Sequence, residues 1–111
     1  MATVEHRPEE NRYVVVEDGA DIGEEKYVDV GEERVLFHTV ISEDHGGKGL
    51  ASLLVRTVVD DLVASGLRVV PVCPYVKAWL PKHPEYADHV VSPTRAHLRA
   101  IARQESQNAG G

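Results

Sequence analysis

The stretch from Arg34 to Cys73 constrains this chain more than any other. Arg34 to Ile41 (Arg-Val-Leu-Phe-His-Thr-Val-Ile) is apolar and β-branched, so it reads as a strand, and it runs into His45-Gly46-Gly47-Lys48-Gly49. From Leu50 to Ala64 apolar residues recur at 50, 54, 58 and 62, with 51, 55 and 59 beside them. That spacing predicts a helix with a broad buried face, stopped by Ser65-Gly66. Leu67 to Cys73 (Leu-Arg-Val-Val-Pro-Val-Cys) is a strand again. Strand, glycine turn, helix and strand make a βαβ crossover, so the two strands lie parallel in one sheet.

Around this unit the reading is coarser. Residues 1–11 are polar, contain Pro8 and are expected to fray. Arg12 to Glu17 is a first strand. Gly19 and Gly23 bracket a turn, or a short continuation at Ala20-Asp21-Ile22, before a second strand over Lys26 to Val30. With Arg34 to Ile41 these form an antiparallel meander. A short helix is expected from Pro74 or Tyr75 to about Lys82, a last short strand at His89-Val90-Val91, and a weak helix from Ser92-Pro93-Thr94 towards Arg103. The class is α/β with a mixed sheet. At 111 residues there is room for one core, divided here into a flexible 1–11, a domain over 12–91, and a helix and tail over 92–111.

Composition narrows the function classes. The longest apolar runs are a few residues, short of the roughly 20 a membrane helix needs, and Met1 to Pro8 has no apolar signal core. Cys73 is the single cysteine, which excludes an intrachain disulfide or a cysteine-rich zinc site. A cytoplasmic protein without membrane contact is expected. The net charge of −6 argues against nucleic acid as the main partner. It is unevenly spread: residues 1–47 carry 13 acidic and 4 basic side chains, residues 48–111 carry 5 and 8. From charge alone both halves read first as ordinary solvated surface, although the acidic half could favour a cationic ligand and the basic half an anionic one.

A strand that enters a glycine-rich turn and then a helix makes an anion site. Glycine lets the backbone approach a ligand, and the unpaired N–H groups of the first helical turn face it. Gly46-Gly47-Lys48-Gly49-Leu50-Ala51 fits that description. Neither Ser nor Thr follows Lys48, so it is not a Walker loop, and the dinucleotide-binding spacing is absent.

Here the sequence resembles the GNAT superfamily of acetyl-CoA-dependent N-acetyltransferases, which carries Arg/Gln-x-x-Gly-x-Gly/Ala at this turn. Gly46-x-x-Gly49-x-Ala51 matches at the last two positions and departs at the first, where Gly46 removes a side chain. Four ordered segments carry the likeness further. They are His38-Thr39-Val40-Ile41, Gly47-Lys48-Gly49-Leu50-Ala51, Pro71-Val72-Cys73-Pro74-Tyr75-Val76 and His83-Pro84-Glu85-Tyr86-Ala87-Asp88. Over residues 12–91 the chain resembles the short, single-domain NATD-type branch. The resemblance implies a GNAT-like mixed sheet whose two parallel central strands splay apart, with the pantetheine arm of coenzyme A in the gap. It implies that Ile41 and its neighbours face Val70 to Cys73 across that gap, and that Pro71 sits beside it without losing a ladder bond. An edge-strand position is the alternative account of the proline.

The same resemblance implies acetyl transfer to an amine, with Ile41, Gly46, Gly47, Lys48, Gly49, Leu50, Ala51, Cys73 and Pro74 as the acetyl-CoA contacts and no metal. Cys73 ends a strand just before a helix start, where it is either a nucleophile or a small buried hydrophobe. His38 is a general base or a histidine bonded across the sheet. Many relatives carry Glu at the position of Val40, and its absence here shifts weight to His38 or water. Tyr75 protonates the departing thiolate or only covers the cleft. Lys48, Arg56 and Lys82 are candidates for the 3′-phosphate, and Trp79 reads as core. His83, Asp88 and His89 lack metal-ligand spacing. The segment before Arg12 is too short for the helical pair that usually walls the acceptor site. An open site suits a protein or peptide lysine, or a pocket completed in a homodimer. The alternative is a coenzyme A-binding or protein-interaction module without efficient transfer.

Overall fold

The computed structural model describes residues 1–45 and 49–110. β1 (Thr3–Arg7), β2 (Arg12–Glu17), β3 (Ala20–Val30) and β4 (Glu33–Ile41) pair antiparallel in chain order. β5 (Arg68–Pro71) joins β4 in parallel, giving the sheet order β1-β2-β3-β4-β5. α1 (Leu50–Ala64) makes the crossover, α2 (Pro74–Trp79) follows β5, and α3 (Arg95–Gly110) comes last. The mixed sheet and its parallel crossover are as the sequence predicts.

The helical spacing of α1 decides the core. Leu54, Val55, Val58, Val59 and Leu62 are fully buried in one cluster with Tyr13, Val15, Tyr27, Leu36 and Val69 of the sheet. Each such side chain contributes about 1.5–3 kcal/mol. Leu54→Ala opens a cavity in this layer and is expected to cost about 3 kcal/mol, read by urea denaturation. On the other face Val14, Val35 and Val70 alternate out of that cluster, and α3 packs there on β3 and β4. Thr94 and His97 cap α3 reciprocally: Thr94 N–H donates to His97 Nδ1 at 2.9 Å and His97 N–H to Thr94 Oγ1 at 3.4 Å. His97 Nε2 meets Glu33 Oε1 at 2.6 Å and ties the helix to the start of β4.

Several boundaries differ from the sequence reading, each for a local reason. Residues 3–7 form a strand where fraying is expected, because Val4 packs on the core, His6 stacks on Tyr13 with ring centroids 4.1 Å apart, and Arg7 grips Asp21 with two bonds. The expected turn at residues 20–22 belongs to β3, with the chain reversing instead at Asp18 and Gly19, both at positive φ. Gly23 therefore lies inside a strand. A Cβ there would collide with Ile41 Cδ1 and stand 3.0 Å from Val40 O. His89-Val90-Val91 makes one bridge, Val69 to Val90, rather than a strand. α3 continues to Gly110 rather than stopping near Arg103, with Gln104, Glu105 and Gln107 favouring the helix.

The proline is corrected as well. Arg68 N–H and Val72 N–H donate to Glu32 O and Leu36 O, so alternation turns the nitrogen of buried Pro71 away from β4, where no ladder bond is lost. Pro71 pairs by register with Leu36 and Val70 with Val35, so neither faces Ile41 across a gap.

One irregularity in β4 positions everything that follows. Lys26 is opposite His38 and Tyr27 is opposite Leu36, which leaves Phe37 as an extra, bulged residue. A bulge bends its strand and shifts the alternation of faces by one. Leu36 and Thr39 consequently face the α1 side together, while His38 and Val40 face away.

Candidate functional site

The ladder between β4 and β5 ends at the bulge. Leu36 O accepts from both Val72 N–H and Cys73 N–H at 3.0 Å, and beyond that pair the two chains part. β4 continues to Ile41 while the other chain turns into α2. Ser42 N–H donates to Ile22 O, so alternation directs the backbone groups of Thr39 and Ile41 away from β3 and into the gap. An extended polar arm entering this slot meets a free strand edge.

Cys73 stands at its inner end. It caps α2 in extended conformation, is 5% exposed, and its Sγ lies 3.0 Å from Thr39 Oγ1. Thr39 donates in turn to Glu25 Oε1 at 2.5 Å. Glu25 is fully buried, and its Oε2 has no hydrogen-bond partner among the described residues. Burial pushes this carboxyl up to about 8 against the opposing bonds from Thr39 and the His38 amide, with the charge of Glu24 adding a smaller upward push. At neutral pH the carboxyl is mostly protonated. Glu25 is absent from the sequence-derived candidates because Glu24-Glu25-Lys26 reads as a charged run. The available signal is parity, since Glu25 lies two residues from buried Tyr27 and shares its face.

The mouth of the slot is a pocket of about 220 Å³ on the helix side, lined by Ile41, His45, Gly49, Leu50, Ala51, Ser52 and Tyr75. It brings together Ile41, Gly49, Leu50, Ala51 and Tyr75 from the candidate set, and adds His45 and Ser52. Gly49 caps α1 at φ 71 without a side-chain bond, and nothing lies within 4 Å of where a Cβ would stand. The first turn of α1 holds no acidic residue, so its unpaired N–H groups present an unopposed positive end. Ser52 Oγ accepts from Trp79 Nε1 at 2.9 Å, fixing α2 against α1 at the rim. Pro74, the first residue of α2, follows Cys73 on the exposed side. Gly46, Gly47 and Lys48 lie outside the described residues.

His38 is on the reverse face, not beside Cys73. Its Nε2 is 3.8 Å from Glu24 Oε2 and its side chain is 47% exposed. Next to it a shallow pocket of about 240 Å³ is lined by Arg12, Asp21, Ile22, Gly23, Glu24, Val40 and Ser42. Arg56 is held away from the slot by Tyr86, by Glu85 and by the Trp79 ring, 5.4 Å from its guanidinium. Lys82 borders a small pocket that shares Tyr75 with the mouth. Trp79 is core, as expected. Among the described residues no group of three His, Cys, Asp or Glu could hold a metal, and no helix is long and apolar enough to cross a membrane.

The comparisons agree with this fold. The family described as GCN5-related N-acetyl-transferase matches residues 12–89. A GCN5-like protein from Staphylococcus aureus, solved by NMR, superposes with a TM-score of 0.63 at 24% identity, covering 86% of this chain and 93% of that one. A ribosomal-protein-alanine N-acetyltransferase from Brucella melitensis gives 0.54 at 20% identity, with 75% and 62% covered. N-acetylglutamate synthase from Neisseria gonorrhoeae, complexed with coenzyme A and N-acetyl-glutamate, gives 0.56 at 13% identity, with 97% of this chain but 27% of that one. No curated protein matches the sequence. The chain belongs to the GCN5-related N-acetyl-transferase family.

Proposed function

We propose that the chain transfers the acetyl group of acetyl-CoA to an amine, with the parted β4 and β5 as the cofactor slot. The observation that carries this reading is continuity: the α1 N-terminus, the free edge of Thr39 and Ile41, and the Cys73 sulfur lie along one path. The residues fit the ligand. A pyrophosphate suits the first turn of α1, where Gly49 leaves open space and no acid opposes it. The pantetheine amides suit the strand edge, and the thioester then reaches Cys73. Tyr75 at the mouth is placed to cover the arm or to protonate the thiolate. Gly46, Gly47 and Lys48 would complete the phosphate turn.

The acceptor would approach the reverse face. Asp21 and Glu24 border the pocket there, paired with Arg7 and Arg12; the acceptor proposed is a cationic amine, such as a protein or peptide lysine, with exposed His38 or solvent taking its proton. A second copy of the chain walling this face is the other arrangement. The spacing of motifs, and the coverage of the staphylococcal protein, support the short single-domain branch. The lone reduced cysteine fits the cytoplasm.

Titration calorimetry with coenzyme A and acetyl-CoA tests the reading. Micromolar binding is expected, and Gly49→Val is expected to weaken it at least about tenfold, because a β-branched residue at positive φ costs about 1–3 kcal/mol and its methyls crowd the helix amides. Failure of the wild-type protein to bind either ligand would overturn the proposal.

A further inference from the structure

A carboxyl group shut away from water faces the chain's single thiol through one hydroxyl. Glu25 Oε1, Thr39 Oγ1 and Cys73 Sγ form a line with spacings of 2.5 and 3.0 Å. The remaining oxygen of Glu25 has no partner among the described residues, although the residue is fully buried. A threonine or valine at this core-facing position would avoid the desolvation. A costly group retained in contact with the innermost end of the slot points to a task there.

We propose that Glu25 is a positioning residue for Cys73, acting through Thr39 as the store for the thiol proton. The inference rests on reading the slot as the acetyl-CoA site. In the first half-reaction, which starts from the ionised form of Glu25, Sγ attacks the thioester carbon as its proton passes to Thr39 and the Thr39 proton passes to the Glu25 carboxylate. The new bond is C–Sγ, the bond to the coenzyme A sulfur breaks, and that thiolate takes a proton from solvent. In the second, the amine nitrogen bonds the acetyl carbon and releases its proton to solvent. Sγ leaves and recovers its own proton from Glu25 by the reverse path.

The surroundings leave Glu25 and Cys73 coupled mainly to each other. Across β2 the neighbour is Tyr13, whose hydroxyl is engaged by Asp61 and Arg34. β4 contributes Thr39, and the buried side chains of α1 are all apolar. On β3 itself Glu24 and Lys26 point to the reverse face, as does His38 of β4.

Three measurements on the full chain test this. Calorimetry with coenzyme A checks the slot. Intact-mass kinetics of Cys73 acetylation by acetyl-CoA, without acceptor, follow the first half-reaction from about pH 6 to about pH 10. The rate of alkylation by iodoacetamide over the same range reports the same thiol with no acetyl donor. Glu25→Gln and Thr39→Val are expected to keep coenzyme A binding and to acetylate about a hundredfold more slowly, with Thr39→Ser close to wild type. The wild-type alkylation profile is expected to show two ionisations and Glu25→Gln only one, at lower pH, because no neighbouring charge then opposes the thiolate. Acetylation of Glu25→Gln at the wild-type rate, no acetylation of wild-type Cys73 despite binding, or coincident alkylation profiles would each overturn the proposal. Absence of coenzyme A binding in the wild type would instead remove the proposed function, with the alkylation profiles still deciding whether the two groups share a proton.

Discussion

Cys73→Ala is expected to lower acetyl transfer at least about a hundredfold while leaving affinity for coenzyme A within about threefold of wild type. The substitution deletes one sulfur atom and keeps the α2 cap, whose N–H still reaches Leu36 O. The contacts proposed for coenzyme A come from the α1 amides and the edge of β4, so binding does not depend on Sγ. Release of coenzyme A, followed with lysine peptides and small polyamines, reads the outcome. Undiminished transfer would leave Cys73 as a small buried hydrophobe, with direct attack by the amine. Binding without transfer in the wild type would instead favour the coenzyme A-binding module.

Stability is expected to fall as pH rises from about 4.5 to about 8, and Glu25→Gln is expected to remove most of that slope. The carboxyl ionises near 4.5 in the unfolded chain and near 8 in the folded one. Between those values the folded state holds a proton that the unfolded state has lost, so each pH unit costs about 1.4 kcal/mol. Below the window both states are protonated and there is no cost; above it both are ionised and the cost is complete, on the order of 5 kcal/mol. Urea denaturation of both proteins across the window measures the difference. Parallel curves would show that Glu25 ionises as it does in water. The two variants address different roles of the cleft: Cys73→Ala removes the sulfur that the transfer needs, and Glu25→Gln removes the carboxyl that ties stability to pH.

The sequence carries the architecture where spacing is strong. The period of Leu50 to Ala64 identifies α1, and the glycine run before it locates the mouth. Ile41, Gly49, Leu50, Ala51 and Tyr75 come from stretches far apart in sequence, and the resemblance places them in one pocket before the coordinates do. What stays hidden depends on pairing. Register alone reveals that Phe37 has no opposite number, and this determines that His38 faces away from Cys73 while Thr39 faces towards it. Glu25 is hidden by its charged neighbours, since composition weighs the residue and only the sheet gives its face. The N-terminal strand is hidden because its ladder, and the grip of Arg7 on Asp21, involve partners beyond any local window.

The bulge at Phe37 divides β4 into two working lengths with separate tolerances. Up to Leu36 the strand is a seam, and substitutions there are judged by how well β5 still closes against it. After Phe37 it is a rail, open on one side, and substitutions there are judged by what slides along it. Removing that single residue would make the ladder continuous, with Leu36, His38 and Thr39 still opposite Tyr27, Lys26 and Glu25 and each on its present face. Such a deletion would take away the bend and keep every nearby side chain, and so isolate what the bend alone contributes to the parting of the two strands.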